Sequence, residues 1–156
     1  MGGVPLIHAM VGVTSPNSPI MPESPAPPFQ QLDFLYMPSR DVAADRTYLT
    51  DVVGGRPVFA VEAMGTRVAA VELGSGPPLV LSTDHVTGEA PILVYRVADL
   101  DVALAALTAQ GWTPTATFEI PHGPCCSFRT PGGQRLALYQ CTRPEAATHL
   151  DGRQDF

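Results

Sequence analysis

The sequence predicts an α+β fold made of two tandem βαβββ modules, about residues 32–83 and 91–140. Three observations predict it. Strand, capped helix, glycine stop and three further strands occur twice in the same order. The helix-capping aspartates Asp41 and Asp99 stand 58 positions apart, and so do Leu49 and Leu107 inside the helices. Each module also ends in a tight turn followed by an apolar strand. An offset of 57 lays Leu79-Val80-Leu81 over Leu136-Ala137-Leu138.

The first module opens with "LDFLYMPS" (32–39), whose run of Phe, Leu, Tyr and Met reads as a strand. Asp41 caps a helix over 42–53, where Tyr48, Leu49, Val52 and Val53 recur at helical spacing. Gly54 and Gly55 stop it. Strands follow at 57–64, 67–73 and 78–83, with Gly65-Thr66 and Gly74-Ser75-Gly76 as turns. After the linker 84–89 the second module repeats the order. It has a strand at 91–97, the cap Asp99, a helix at 101–110, the stop Gly111, and strands at 115–121, 125–130 and 134–140.

One domain is expected at 31–143. Residues 1–30 hold seven prolines, which remove backbone donors and block helix and central strand, so they read as an irregular tail. Residues 144–156 read as a C-terminal tail. The net charge of −6 argues against a nucleic-acid partner and against an anionic membrane, and suits a cationic or neutral small ligand. No apolar run reaches the roughly 18 residues of a membrane span. Three cysteines, two of them adjacent at 125 and 126, argue against a disulfide framework. The first apolar run lacks a preceding Lys or Arg, as a secretory signal requires. A cytoplasmic location is the expectation.

The segments "FLYMPSRDVAADRTYLTDVVG", "ILVYRVADLDVALAALTAQGW" and "SFRTPGGQRLALYQ" resemble the vicinal oxygen chelate superfamily, which includes glyoxalase I, bleomycin-resistance proteins and extradiol dioxygenases. The resemblance covers residues 32–142. It implies a cup-shaped, mostly antiparallel sheet, a ligand inside the cup, and a homodimer. Enzymes of that group hold a divalent metal with four side chains, from the first and last strands of each module. Matching the motifs places those positions at Phe34, Val80, Ile92 and Ala137, none of which carries a donor atom, and a one-residue slip of the first-strand matches to Asp33, Leu35, Pro91 or Leu93 supplies at most one ligand. No metal and no cofactor are therefore expected.

Strand alternation then assigns the cup face to Phe34, Tyr36, Val80, Ser82, Ile92, Val94, Arg96, Ala137 and Tyr139. This is an apolar lining with two tyrosine hydroxyls and one guanidinium, suited to a small organic ligand. Arg96 needs an acceptor, either Glu62, Glu119 or an acidic group of the ligand. His85, Glu89 and His122 form an alternative, displaced metal set, and His122 with Cys125 an alternative nucleophile pair. Trp112, after the second helix, reads as a packing residue or a dimer contact.

The expected function is metal-free binding of a small molecule, such as sequestration of an antibiotic. The alternative is a lyase, isomerase or dioxygenase-like enzyme whose metal site is relocated or absent. Tyr36, Tyr139, Arg96 or Glu119 then act.

Overall fold

The computed structural model describes residues 28–156. The first module comprises β1 (Phe29–Pro38), α1 (Val42–Thr47), β2 (Arg56–Ala63), β3 (Thr66–Glu72) and β4 (Leu79–Thr83). The second comprises β5 (Ile92–Val97), α2 (Leu100–Ala109), β6 (Ala116–Ile120), β7 (Gly123–Arg129) and β8 (Arg135–Gln140), and a short α3 (Ala146–Leu150) follows. The two βαβββ modules are as the sequence predicts. The expected tail 1–30 falls outside the described residues except at its end, where Phe29 and Gln30 already belong to β1.

All eight strands form one curled sheet in the order β2-β3-β4-β1-β5-β8-β7-β6. The modules join where β1 pairs antiparallel with β5, matching Phe34 with Val94 and Tyr36 with Ile92. Within each module the first and last strands run parallel, and the other pairs are antiparallel.

Both helices begin at the aspartates that the sequence marks. The Asp41 carboxylate accepts from the Ala44 N–H at 3.0 Å, and that of Asp99 from the Val102 N–H at 2.9 Å. Beyond Thr47 the first helix widens into a π-type turn over Tyr48–Val52. The helices cover the outer face of the sheet. Leu100 and Ala103 of α2 pack on Val97, Cys126, Phe128 and Leu138. Trp112 meets Phe128 edge-on with ring centroids 4.9 Å apart, so it is a packing residue. Val42 of α1 packs on Ala60 and Ala69. At the start of β7 only glycine fits. Gly123 has φ +152°, and a Cβ there lies 2.0 Å from the Gln140 carbonyl oxygen.

The segment expected as a C-terminal tail is docked. Residues 152–155 run parallel to β2 along its outer edge. Ala60 N–H donates to the Arg153 carbonyl, Asp155 N–H to the Ala60 carbonyl, and Gly152 N–H to the Val58 carbonyl. Asp155 also accepts from the Glu62 N–H at 2.9 Å. Phe156 packs beside Val42, with the Arg67 guanidinium 5.0 Å from its ring centre. Arg46 donates to the Phe156 carbonyl and to the Gln154 amide. This covers one sheet edge, which otherwise presents unpaired backbone groups.

Candidate ligand-binding cavity

Inside the curl lies a cavity of about 610 Å³. Its wall is mainly hydrocarbon. Tyr36 comes from β1, Phe59 and Val61 from β2, Val68 from β3, Leu81 from β4, Ile92 and Val94 from β5 and Phe118 and Ile120 from β6. Leu150 of α3 closes part of it, a contribution from the expected tail. Polar atoms are few and come from Thr66, Thr83, His85, Thr87, Glu119, His122 and Arg135. Such a wall binds by apolar area, with a small number of polar groups to set orientation.

Of the residues assigned to the cup face, Tyr36, Ile92 and Val94 stand on this wall. Phe34, Ala137 and Tyr139 share its apolar cluster but are buried beneath it, filling the cup at one end. Val80 and Ser82 correct the expectation. The β1–β4 register sets Tyr36 beside Leu81 and Phe34 beside Leu79, so Leu79, Leu81 and Thr83 take the inner face. Val80 and Ser82 lie opposite Val71 and Ala69, on the helix side. The reason is one residue in a turn. Val71 to Val80 spans one more residue than its counterpart Phe128 to Leu136. A one-residue slip flips every side chain of a strand to the other face. The offset between the last strands is therefore 56, since Leu81 beside Tyr36 matches Ala137 beside Val94.

Arg96 also departs from expectation. Its partner is Asp33, not Glu62 or Glu119. The β1–β5 register skips Asp33 between Leu32 and Phe34, a bulge that places its carboxylate against Arg96 and Tyr139. Tyr139 Oη donates to Asp33 Oδ2 at 2.5 Å, and Arg96 Nε lies 3.3 Å from the same oxygen. Arg96 Nη2 donates to Gln31 Oε1 at 3.3 Å. Burial raises the Tyr139 pKa, and the Asp33 hydrogen bond and charge raise it further. The sequence gives no signal for this role of Asp33, because a lone Asp in an apolar strand gives no sign of a bulge. Arg96 and Tyr139 thus belong to an internal network around Asp33, under the cavity.

The metal positions stay without donors after the correction. Leu81 replaces Val80, and Phe34, Leu81, Ile92 and Ala137 offer hydrocarbon only. The alternative set does not assemble. His85 and His122 stand on the cavity wall, while Glu89 faces Arg40 at 3.8 Å. Among the described residues no three His, Cys, Asp or Glu side chains are grouped to hold an ion. A divalent metal does not fit this site.

His122 packs against Phe34, with ring centroids 5.0 Å apart, and its Nδ1 is buried without a partner. Burial lowers its pKa, Asp33 opposes that shift and Arg143 adds to it, so the imidazole is neutral at pH 7. Burial raises the Tyr36 pKa, so that hydroxyl stays protonated. Cys125 also faces the cavity, and burial, then the Cys126 thiol, push its pKa up to about 12. A thiol at that pKa is a poor nucleophile at neutral pH. Native protein treated with iodoacetamide at pH 7.5 is expected to stay unmodified at Cys125 and to react there only in denaturant. Peptide mass spectrometry reads the result, and rapid native labelling of Cys125 overturns the assignment.

No protein-family model matches the sequence, and no curated protein matches it. Solved structures do match the fold. Methylmalonyl-CoA epimerase from Mycobacterium tuberculosis superposes with a TM-score of 0.65 at 17% identity, covering 78% of this chain and 95% of that one. A single-residue variant of Streptomyces coelicolor methylmalonyl-CoA epimerase, in complex with 2-nitronate-propionyl-CoA, gives 0.60 at 14% identity, with coverages of 74% and 99%. A hypothetical protein from Bacillus halodurans C-125 gives 0.60 at 9% identity, with coverages of 72% and 95%. The class defined here is a curled βαβββ pair enclosing an apolar cavity. The chain has the glyoxalase/bleomycin-resistance fold.

Proposed function

We propose that this protein is a metal-free small-molecule-binding protein that holds its ligand non-covalently in the cavity. One observation carries the reading: the curl encloses an apolar cavity of about 610 Å³, and the positions that the resemblance assigns to metal ligands, Phe34, Leu81, Ile92 and Ala137, carry hydrocarbon side chains. Sequestration needs area and shape but no reacting group. An antibiotic with a flat apolar body is one ligand of this kind. N-phenyl-1-naphthylamine, a neutral aromatic probe, is expected to bind with micromolar or better affinity and to raise the melting temperature by mass action. No thermal shift and no fluorescence change at saturating probe overturn the reading. The homodimer belongs to this proposal, supported by β6, whose outer edge pairs with no described strand and whose Phe118 is exposed.

A second reading rests on His122 and on the epimerase neighbours. A neutral imidazole on the wall, with Glu119 nearby on the same wall, is suited to proton transfer at a carbon acid. Incubating methylmalonyl-CoA with the protein in D2O separates the two. Deuterium entering the substrate carbon, lost in His122→Phe, supports the enzyme; an unexchanged substrate supports the binding protein.

A further inference from the structure

Beside the cavity lies a smaller recess of about 160 Å³ that shares Thr87, Ile92 and Arg135 with the cavity wall. Two guanidiniums meet there. Arg129 of β7 and Arg135 of β8 stand directly opposite in the antiparallel ladder, so their side chains leave the same face. Like charges directly opposite destabilise a sheet. Among the described residues neither arginine forms an ion pair, although the chain carries a net charge of −6.

The recess is otherwise furnished for an anion. Thr115 and Ser127 line it and bring hydroxyls, and no carboxylate does. Arg135 is held in place, its Nη1 donating to the Thr87 carbonyl at 2.6 Å. Gly88 makes room for that contact. Its φ is +90°, and a Cβ there lies 3.0 Å from the same nitrogen. Burial, then the facing Arg129, lower the Arg135 pKa, a cost that a bound anion offsets.

We propose that Arg129 and Arg135 bind the anionic head of an amphipathic ligand whose apolar body fills the adjoining cavity. The head is a carboxylate, phosphate or sulfonate, which guanidinium forks match in geometry. This rests on the cavity-binding reading and names its ligand class. It departs from the expectation from net charge: the overall −6 suits a cationic or neutral ligand, while the two guanidiniums at the recess suit an anion.

The test uses two probes with one ring system. 8-Anilinonaphthalene-1-sulfonate carries an anionic head, and N-phenyl-1-naphthylamine lacks it. Fluorescence titrations are run on the full chain and on Arg129→Gln and Arg135→Gln. Each variant is expected to weaken the sulfonate probe about 10-fold, the scale of a charge-assisted hydrogen bond, and Arg129→Gln, whose residue lies off the cavity wall, to leave the neutral probe within about twofold. Added salt weakens only the sulfonate probe. Equal weakening of both probes by Arg129→Gln, or a sulfonate affinity indifferent to both variants, overturns the proposal. Failure of the neutral probe to bind the unmodified protein sinks the cavity reading, and the amphipathic ligand with it.

Discussion

Asp33→Ala is expected to destabilise the fold by about 2 kcal/mol, lowering the melting temperature by roughly 4–8 °C for a chain of this size. Asp33 is buried, and its carboxylate accepts from Tyr139 and forms an ion pair with Arg96. Alanine leaves the buried Tyr139 hydroxyl without its partner, at about 1–3 kcal/mol. The Arg96 side chain is 37% exposed and keeps Gln31, so water screens its share and the ion pair adds little. Asp33→Asn keeps an acceptor for Tyr139 and is expected to cost about 1 kcal/mol. Urea unfolding of both variants and of Tyr139→Phe reads the difference. If Asp33→Ala costs no more than Tyr139→Phe and both stay under about 0.5 kcal/mol, the network contributes nothing to stability.

The largest effect on binding is expected from Ile92→Trp. Ile92 is partly buried and stands on the cavity wall, so a larger ring enters space that the ligand needs. The neutral naphthyl probe is expected to lose about 100-fold in affinity, or about 2.7 kcal/mol. The fold tolerates the change, because the ring grows into a cavity and not into packed side chains. Val68→Trp, from the opposite side of the curl, repeats the test on β3. Unchanged affinity in both variants with an unchanged melting temperature places the probe elsewhere on the protein.

The sequence alone determined the repeat. Asp41 and Asp99 cap their helices as their side chains dictate, and the strand–helix–strand order follows from periodicity and glycine stops. These are local properties, set within a few residues. It also determined that the first strands and the β8 position carry hydrocarbon where the resemblance implies metal ligands. The inner face of β4 was not legible. "LVLST" is buried on both faces, so alternation gives no direction, and one extra residue in the preceding turn decides which side chains point inward. Asp33 was not legible for a related reason. A bulge arises from the pairing of two strands some 60 residues apart in sequence, and only that pairing turns its carboxylate toward Tyr139. The strap at 152–156 and the Arg129–Arg135 pair belong to the same class. Their meaning lies in which strand lies beside which, and long-range register is a property of the folded sheet. The cavity itself is tertiary, because it is the volume left when eight strands curl and their inward side chains do not fill the space.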